Sequence, residues 1–398
     1  MQDRSQLRVL WITENYPPAQ GGMAQSCDRI VDSLMRAGLR VDVVHFTGRV
    51  TAMRSERLHS GSILECPPGV DPAHAMNCAW NWISLQNTSP DITHVVAFGG
   101  TLPMLAAPVY AAWLGVPLVT LIRGNDFDTA IFAPRRSTVL QDALRRSARV
   151  CVVSRDKASK INALYPDVCP IWIPNGIDLE YWEALPSQKH AAECWKRETV
   201  QGGRRVLGLF GHIKQKKGGL FFLEALHRSG QASRFHVLFV GDLDQEIVDW
   251  LAAHQDEIHS SCYPFMDRYE LLRWYSSCDF VVIPSFYDGL PNVLLEACAL
   301  GVPVLASTAG GMRDVLEDGR HGFLFGPGDS GSCGTALIGA ARCSADAHKR
   351  MGHECRLLVE TNLTAEIEAA KYISTLIETV PCGETSESYQ DTTSFYGE

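Results

Sequence analysis

The chain has 398 residues, of which 46% are hydrophobic and 20% are charged, and its formal net charge is −9 at pH 7. This composition is close to the globular average, so it excludes wholesale disorder, and the length predicts two or three domains. The acidic balance argues against a nucleic-acid-binding protein, which normally carries a basic face.

The cysteines and the apolar runs indicate in which cellular compartment the protein is expected. Thirteen cysteines are spread from Cys27 to Cys382 without a C-x-x-C pair or a Cys/His cluster at zinc spacing. Such an odd, dispersed set is typical of reduced thiols that pack as small hydrophobic residues. The apolar run at 9–12 is too short for a signal peptide, and no run approaches the ~18 residues of a membrane span. We therefore expect a cytoplasmic protein whose membrane contact is at most peripheral.

Short β-rich runs alternate with helical stretches along the first half of the chain. The runs lie at 8–12, 41–46, 94–98, 117–121, 150–153 and 170–173. Between the first two runs, apolar residues recur at helical spacing from Ala24 to Met35, and Gly38 ends that helix. This alternation predicts βαβ units and a parallel sheet.

The same pattern restarts in the second half of the chain. Its runs lie at 206–210, 236–240, 279–283, 303–306 and 322–325. The segment 174–178 and the polar stretch after it separate the two series. The pattern predicts two Rossmann-like, doubly wound α/β domains that bind ligand in the cleft between them, at the carboxyl ends of their strands.

We place the domain boundaries from these two series. The first domain is predicted to cover 1–178 and the second 179–363. A helix over 364–380 follows, placed to pack back on the first domain. The Ser/Thr/Glu-rich tail at 381–398 lacks apolar residues that could pack, so we expect it to be disordered.

Two glycine-containing loops are candidates for binding phosphate. Gly21 and Gly22 come just before the first helix, where backbone N–H groups and the helix dipole favour an anion, although a simple turn fits equally well. The loop 211–219 directly follows a strand and carries three lysines beside His212. Its position at a strand end favours anion binding over a solvated basic loop. Neither loop has the dinucleotide or Walker A spacing.

The segment 284–297 holds two carboxylates beyond the end of a buried strand. Asp288 lies in the loop, and Glu296 lies on the second turn of a helix that we expect Asn292 to cap. A carboxylate at this place can accept two hydrogen bonds from a sugar diol, and the helix N-terminus favours a diphosphate. The spacing alone also fits a loop acid and a surface glutamate.

Arg123, Asn125 and Asp126 follow a strand of the first domain. A guanidinium fork, an amide and a carboxylate together suit a sugar or a phosphate. An Arg–Asp pair that ties the loop together is an equally good interpretation.

A basic stretch follows in the same domain. It contains Arg135, Arg136, Arg145, Arg146 and Arg149. Such a run is usually the solvated face of a helix, and the alternative is a surface for anionic lipid. Trp80 and Trp82 lie upstream, where they would stack on an acceptor or pack in the core.

Taken together, these motifs resemble the retaining glycosyltransferases of family four, which have the GT-B architecture. The match runs in register from about residue 8 to 326. It includes the Gly-Gly loop, VSR at 153–155, IPNGID at 173–178, the E-x7-E region and AGG at 309–311. The resemblance implies transfer of a hexose-type sugar from a nucleoside diphosphate to an acceptor hydroxyl, with retention. A non-catalytic nucleotide-sugar-binding protein and a sugar-nucleotide epimerase are the alternatives.

The resemblance also implies roles for individual residues. Lys217 would contact the donor diphosphate, Glu296 the ribose hydroxyls and Asp288 the donor sugar. The catalytic set it implies is Lys217, Asp288, Arg123 and Asp126. The donor-binding set is Gly22, Gly211, His212, Lys217, Asp288, Leu290, Pro291, Asn292 and Glu296. Gly21 and Asn125 are assigned to the acceptor side.

The family's chemistry implies no cofactor and no metal ion, with a UDP- or GDP-type sugar as co-substrate. The acceptor is a small molecule, a glycan or a lipid. Three positions depart from the family pattern. Asp288 stands where glutamate is common, His212 where arginine is common, and the segment 123–126 lacks the histidine that many members carry.

Overall fold

The computed structural model describes residues 7–19, 21–85 and 91–379, so the predicted tail at 381–398 lies outside the described residues. Within them the chain forms two sheets, one of eight strands and one of six. Helices connect the parallel strands in both sheets, which confirms the two doubly wound α/β domains predicted from the sequence.

The first sheet has the strand order β3-β4-β2-β1-β5-β6-β7-β8. Its strands are β1 (Arg8–Thr13), β2 (Arg40–Phe46), β3 (Arg54–Leu58), β4 (Gly61–Cys66), β5 (His94–Phe98), β6 (Leu118–Ile122), β7 (Arg149–Val152) and β8 (Pro170–Trp172). All six predicted runs are strands. The sequence did not predict the edge hairpin β3–β4, because β3 is exposed and polar (RSERL) and shows no apolar alternation.

Helices cover both faces of the first sheet. They are α1 (Gly22–Arg36), α2 (Pro72–Leu85), α3 (Thr101–Leu114), α4 (Asn125–Asp128), α5 (Pro134–Arg146) and α6 (Arg155–Leu164). One apolar core joins the sheet to α2, α3, α5 and α6. The other joins it to α1 and to the C-terminal helix α15 (Ala365–Thr379). The last helix of the described chain therefore packs beside α1 on the first domain.

The second sheet has the strand order β11-β10-β9-β12-β13-β14, and its described pairs are all parallel. Its strands are β9 (Arg205–Phe210), β10 (Phe235–Val240), β11 (Ser260–Tyr263), β12 (Phe280–Ile283), β13 (Val304–Ser307) and β14 (Gly322–Phe325). Its helices are α7 (Pro186–Thr199), α8 (Gly219–Arg228), α9 (Gln245–Ala253), α10 (Arg268–Ser276), α11 (Asn292–Ala299), α12 (Met312–Val315), α13 (Ser330–Arg342) and α14 (Ala345–Asn362). The short edge strand β11 was not predicted.

The strand order determines where a site can form. In the second sheet the chain runs outward from β9 to β11 and then returns to place β12 on the other side of β9. Loops that leave the carboxyl ends of β9 and β12 therefore diverge and open a crevice. None of the described helices is long and apolar enough to cross a bilayer.

Candidate active site

A cleft with a volume of about 1190 Å³ lies at the carboxyl ends of the strands and is lined by both domains. Its walls include the predicted residues Gly21, Gly22, Arg123, Asp126, Gly211, His212, Lys217, Asp288, Leu290, Pro291, Asn292 and Glu296. Asn125 begins α4, and its side chain lies outside the described part of the chain. Among the described residues, no group of three or more His, Cys, Asp or Glu side chains is placed to hold a metal ion.

Lys217 and Asp288 form an ion pair across the crevice between β9 and β12. The lysine ends a turn of 3₁₀ helix, and Gly218 after it has a φ of 70°. A Cβ at Gly218 would overlap the carbonyl oxygen of Pro284 at the end of β12, so only glycine lets the two loops approach. The carboxylate of Asp288 also accepts the N–H of Gly289 at 2.8 Å.

The electrostatics of this pair leave excess positive charge. Burial acts to raise the pKa of Asp288, but the ammonium groups of Lys217 and Lys216 outweigh it, so the pKa lies below its ordinary value. Burial lowers the pKa of Lys216 despite the nearby Asp288. Two lysines thus face one ionised carboxylate, an arrangement that attracts an anion into the cleft.

Glu296 is buried on α11 beneath an aromatic pair. The hydroxyl of Tyr275 donates to its Oε2 at 2.5 Å, and Tyr275 stacks on Phe210 with ring centroids 3.9 Å apart. Burial raises the pKa of Glu296 to about 7, although the Tyr275 hydrogen bond and Arg29 oppose it. Both aromatic rings line the cleft with Glu296, so this end offers an apolar surface beside a hydrogen-bonding carboxyl.

The N-termini of α1 and α11 lie side by side at the cleft. Asn292 does not cap α11 as predicted, because Pro291 holds the cap position and Asn292 is the first helical residue. Its Nδ2 instead donates to the carbonyl of Gly22 at 3.3 Å and to Oε1 of Gln25 at 3.2 Å. This contact joins the two domains and brings the positive ends of two helix dipoles to one place.

Gly310 and Gly311 support the loop that carries Asp288. Gly310 has a φ of 53°, and a Cβ there would overlap the carbonyl oxygen of Asp288. The N–H of Gly311 donates to the carbonyl of Gly289 at 2.7 Å. The AGG motif thus shapes the wall of the cleft, a role that the sequence did not reveal because the two segments are distant in the chain.

Arg123 and Asp126 are at the wall of the cleft, but their side chains are engaged in the fold. The guanidinium of Arg123 donates to Glu368 at 2.8 Å and to Asn175 and Tyr372. Asp126 accepts backbone N–H groups from its own loop, including that of Arg123 at 2.9 Å. Both side chains thus have structural roles, and the catalytic roles expected for them stay predictions.

The described contacts of His212 and the two tryptophans are with residues other than Lys217 and Asp288. Nδ1 of His212 is 2.8 Å from Oδ2 of Asp242, and its ring lies over Phe265 at the cleft wall. Trp80 and Trp82 pack against the first core, and neither is among the described residues that line the cleft. Of the two interpretations of the tryptophans, the structure supports core packing.

Family models for two glycosyltransferase domains match most of the chain. The model described as Glycosyltransferase Family 4 matches residues 20–181, and the model described as Glycosyl transferases group 1 matches residues 204–342. The chain is a glycosyltransferase that resembles family 4. It is 22% identical over 363 residues to an uncharacterised glycosyltransferase of Methanocaldococcus jannaschii. The alignment covers 81% of this chain and 85% of that protein.

Solved structures show the same fold. Sucrose-phosphate synthase of Thermosynechococcus elongatus aligns with a TM-score of 0.78 at 16% identity, over 94% of the glycosyltransferase and 98% of that chain. Anabaena HepE, solved in complex with UDP-glucose, aligns with a TM-score of 0.71 at 16% identity, over 94% of the glycosyltransferase and 100% of that chain. The GT-B class implied by the sequence motifs is confirmed.

The buried Glu296 gives the glycosyltransferase a testable pH dependence. Its pKa rises from 4.5 to about 7 on folding, so folding favours the protonated carboxyl. The stability that the protonated Glu296 carboxyl gives to the folded state is fully present below about pH 4.5 and is lost as the pH rises through 7. Relative to Glu296→Gln, the wild type should lose about 3 kcal/mol of unfolding free energy over that interval. Urea unfolding of both proteins across this range measures it.

The matched control for this measurement is Glu193→Gln, which changes an exposed carboxyl on α7. Its unfolding free energy should follow the wild type at every pH. A difference between the wild type and Glu296→Gln that does not vary with pH would contradict the burial argument.

Proposed function

We propose that this glycosyltransferase transfers a hexose-type sugar from a nucleoside diphosphate to an acceptor hydroxyl with retention at the anomeric carbon. The observation that carries the proposal is the convergence of the Lys217–Asp288 pair with the N-termini of α1 and α11 in one cleft. Anabaena HepE binds UDP-glucose, which supports a donor of the UDP type, with GDP as the second choice.

The donor would lie along the second-domain wall of the cleft. Lys217 and the N–H groups that open α11 are suited to the diphosphate, because both present positive charge. The carboxyl of Glu296 is suited to the ribose hydroxyls, beside the Phe210–Tyr275 rings. The carboxylate of Asp288 would then accept a hydrogen bond from a hydroxyl of the donor sugar. Its side chain is one methylene shorter than that of a glutamate.

The proposed reaction takes place on one face of the sugar. The bond from the anomeric carbon to the diphosphate oxygen breaks, and a bond to the acceptor oxygen forms on the same face. The acceptor's proton moves to the departing diphosphate, so no side chain acts as general base. Lys217 and the helix N-termini stabilise the charge that develops on the leaving group. Because these groups supply the positive charge, we propose no metal ion and no cofactor.

Nucleotide-dependent thermal unfolding tests the donor site. UDP, GDP, ADP and dTDP are each added to the wild type, to Lys217→Ala and to Glu296→Ala. A nucleotide present at 100 times its dissociation constant should add ~2.7 kcal/mol of stability to the wild type, and both variants should lose this response. Lys196→Ala, which breaks an ion pair with Asp279 elsewhere in the second domain, should keep it.

Three outcomes would contradict the proposal in different ways. If no nucleotide stabilises the wild type, the donor site is wrong. If a nucleotide stabilises it but its sugar conjugate is neither transferred nor slowly hydrolysed, the chain is a non-catalytic binding protein. Conversion of the donor to an epimer without any acceptor would indicate an epimerase.

A further inference from the structure

The outer face of α3 is apolar along its whole length. Its exposed positions are Leu105, Val109, Ala112 and Trp113, and the helix contains no charged residue. The side chains of Leu105, Val109 and Trp113 are 40%, 37% and 54% exposed. Because these three positions are four residues apart, they form one continuous stripe. Exposed apolar stripes of this kind mark interaction surfaces.

Trp113 is held firmly at the end of this stripe. Its ring lies 4.7 Å from that of Trp80 and 6.1 Å from that of Tyr110, measured between centroids. The hydroxyl of Tyr110 donates to the carbonyl of Met76 on α2 at 2.5 Å. Trp113 is therefore an ordered part of the surface, and it combines an apolar ring with a polar N–H, as suits a membrane interface.

Basic residues lie on α5, which packs against α3 in the same layer. Helix α5 carries four arginines, Arg135, Arg136, Arg145 and Arg146, against the single acid Asp142. Asp142 pairs with Arg146 at 2.8 Å, and Asp167 lies 3.8 Å from Arg145. Glu14 lies near Arg136, so acids offset three of the four arginines and Arg135 carries the remaining positive charge of α5, in a chain whose net charge is −9. On the other side of α3, α2 carries no Asp, Glu, Lys or Arg.

We propose that this α3–α5 surface, formed by the stripe of α3 and the arginines of α5, rests on an anionic lipid bilayer. The apolar stripe would enter the headgroup region while the arginines attract the lipid charge. Helix α3 has 14 residues and is about 21 Å long, less than the ~30 Å hydrocarbon core, so it would lie on the bilayer. A second copy docked on this face with its α3 antiparallel would bring the two basic α5 helices together, which disfavours that dimer.

The α3–α5 surface also adjoins the cleft. Arg136, on the first turn of α5, lines the cleft, and so does Gly100 immediately before α3. Both helices therefore begin at the cleft and extend away from it along the proposed contact. Bound in this way, the protein would present the first-domain side of its cleft next to the lipid surface.

Vesicle binding tests this surface directly. The full chain is sedimented with phosphatidylcholine vesicles that contain or lack phosphatidylglycerol. We expect binding only where phosphatidylglycerol is present, and weaker binding at high salt. The double variant Leu105→Glu/Val109→Glu should bind at least about tenfold more weakly. Arg135→Gln should bind about fivefold more weakly, the effect of removing one positive charge near the surface.

Matched controls come from the second domain. Val248→Glu changes a 42% exposed apolar residue on α9, and Arg350→Gln changes an exposed arginine on α14. Both should bind vesicles like the wild type. The proposal is overturned if the wild type does not bind anionic vesicles, or if the α3–α5 variants bind as well as the controls. It is also overturned if Leu105→Glu/Val109→Glu instead converts a dimer into a monomer. None of these readouts depends on transferase activity.

Discussion

Lys217→Ala is expected to lower sugar transfer by on the order of a hundredfold or more while the chain stays folded. The ammonium of Lys217 is paired with Asp288 at the mouth of the crevice between β9 and β12. In the proposed reaction, negative charge grows on the diphosphate as its bond to the sugar breaks. An ammonium that already faces this position stabilises that charge without reorganisation, so its removal raises the barrier directly.

The stability of this variant should change little. The side chain of Lys217 is 31% exposed, so its pair with Asp288 is partly screened by water. After the substitution, Lys216 still faces the Asp288 carboxylate from the same loop. Turnover of a nucleotide sugar and thermal unfolding, measured on the same preparation, separate the two effects.

A second lysine in the same domain provides the control. Lys196 pairs with Asp279 at 3.1 Å, and its side chain is also 31% exposed, but neither partner lines the cleft. Lys196→Ala should therefore change stability as Lys217→Ala does and leave turnover unchanged. Near-normal turnover in Lys217→Ala would remove this lysine from the reaction.

The sequence predicted the buried strands better than the edges of the sheets. Strands buried on both faces have mainly apolar sequences, and the runs at 206–210 and 236–240 are strands of this kind. The exposed residues of β3 lack that pattern, since only pairing with β4 defines them as a strand. Edge strands depend on their neighbours, so a local pattern cannot reveal them.

The candidate site was predictable where it depends on strand ends. The loops that carry Lys217 and Asp288 each follow a recognisable apolar run, and parallel strands bring such loops to one edge. The partners of individual side chains were not predictable in this way. Tyr275 reaches Glu296 from α10, and Asn292 reaches Gly22 in the other domain. Such contacts depend on how the elements pack, and no spacing in the sequence encodes them.

Arg123 is the clearest example of a side chain whose partners could not be predicted from the sequence. Its sequence neighbours suggested either a sugar contact or a pair with Asp126, because both were within reach of the loop. The structure instead gives it Glu368, 245 residues later in the chain and on the C-terminal helix. The loop is tied in place, as the alternative interpretation expected, but by a partner that only the tertiary fold supplies.

Glu368→Ala is accordingly expected to lower the free energy of unfolding by about 3–5 kcal/mol, the usual effect of removing one partner from a buried ion pair. The side chains of Arg123 and Glu368 are 1% and 2% exposed, with 2.8 Å between their paired atoms. The other oxygen of Glu368 accepts from Arg29 on α1 and from the N–H of Gly176, both at 3.0 Å. Its loss would leave the buried Arg123 charge without its paired acid.

Loss of the Glu368 carboxylate should also disturb the wall of the cleft. Arg123 donates to Asn175, and Asn175 donates to the carbonyl of Leu290 in the cleft wall at 2.5 Å. Glu368→Gln keeps the shape and one acceptor oxygen but not the charge, so its stability should lie between those of the wild type and Glu368→Ala. Urea unfolding monitored by tryptophan fluorescence measures all three.

Glu366→Ala is the matched control for these measurements, because Glu366 is exposed one half-turn earlier on the same helix. It removes a carboxyl from α15 without touching the buried cluster, and its unfolding free energy should stay within about 0.5 kcal/mol of the wild type. If Glu368→Ala were no less stable than Glu366→Ala, the buried pair would not hold α15 against the first domain. The coupling from α15 through Arg123 and Asn175 to the cleft would then lose its physical basis.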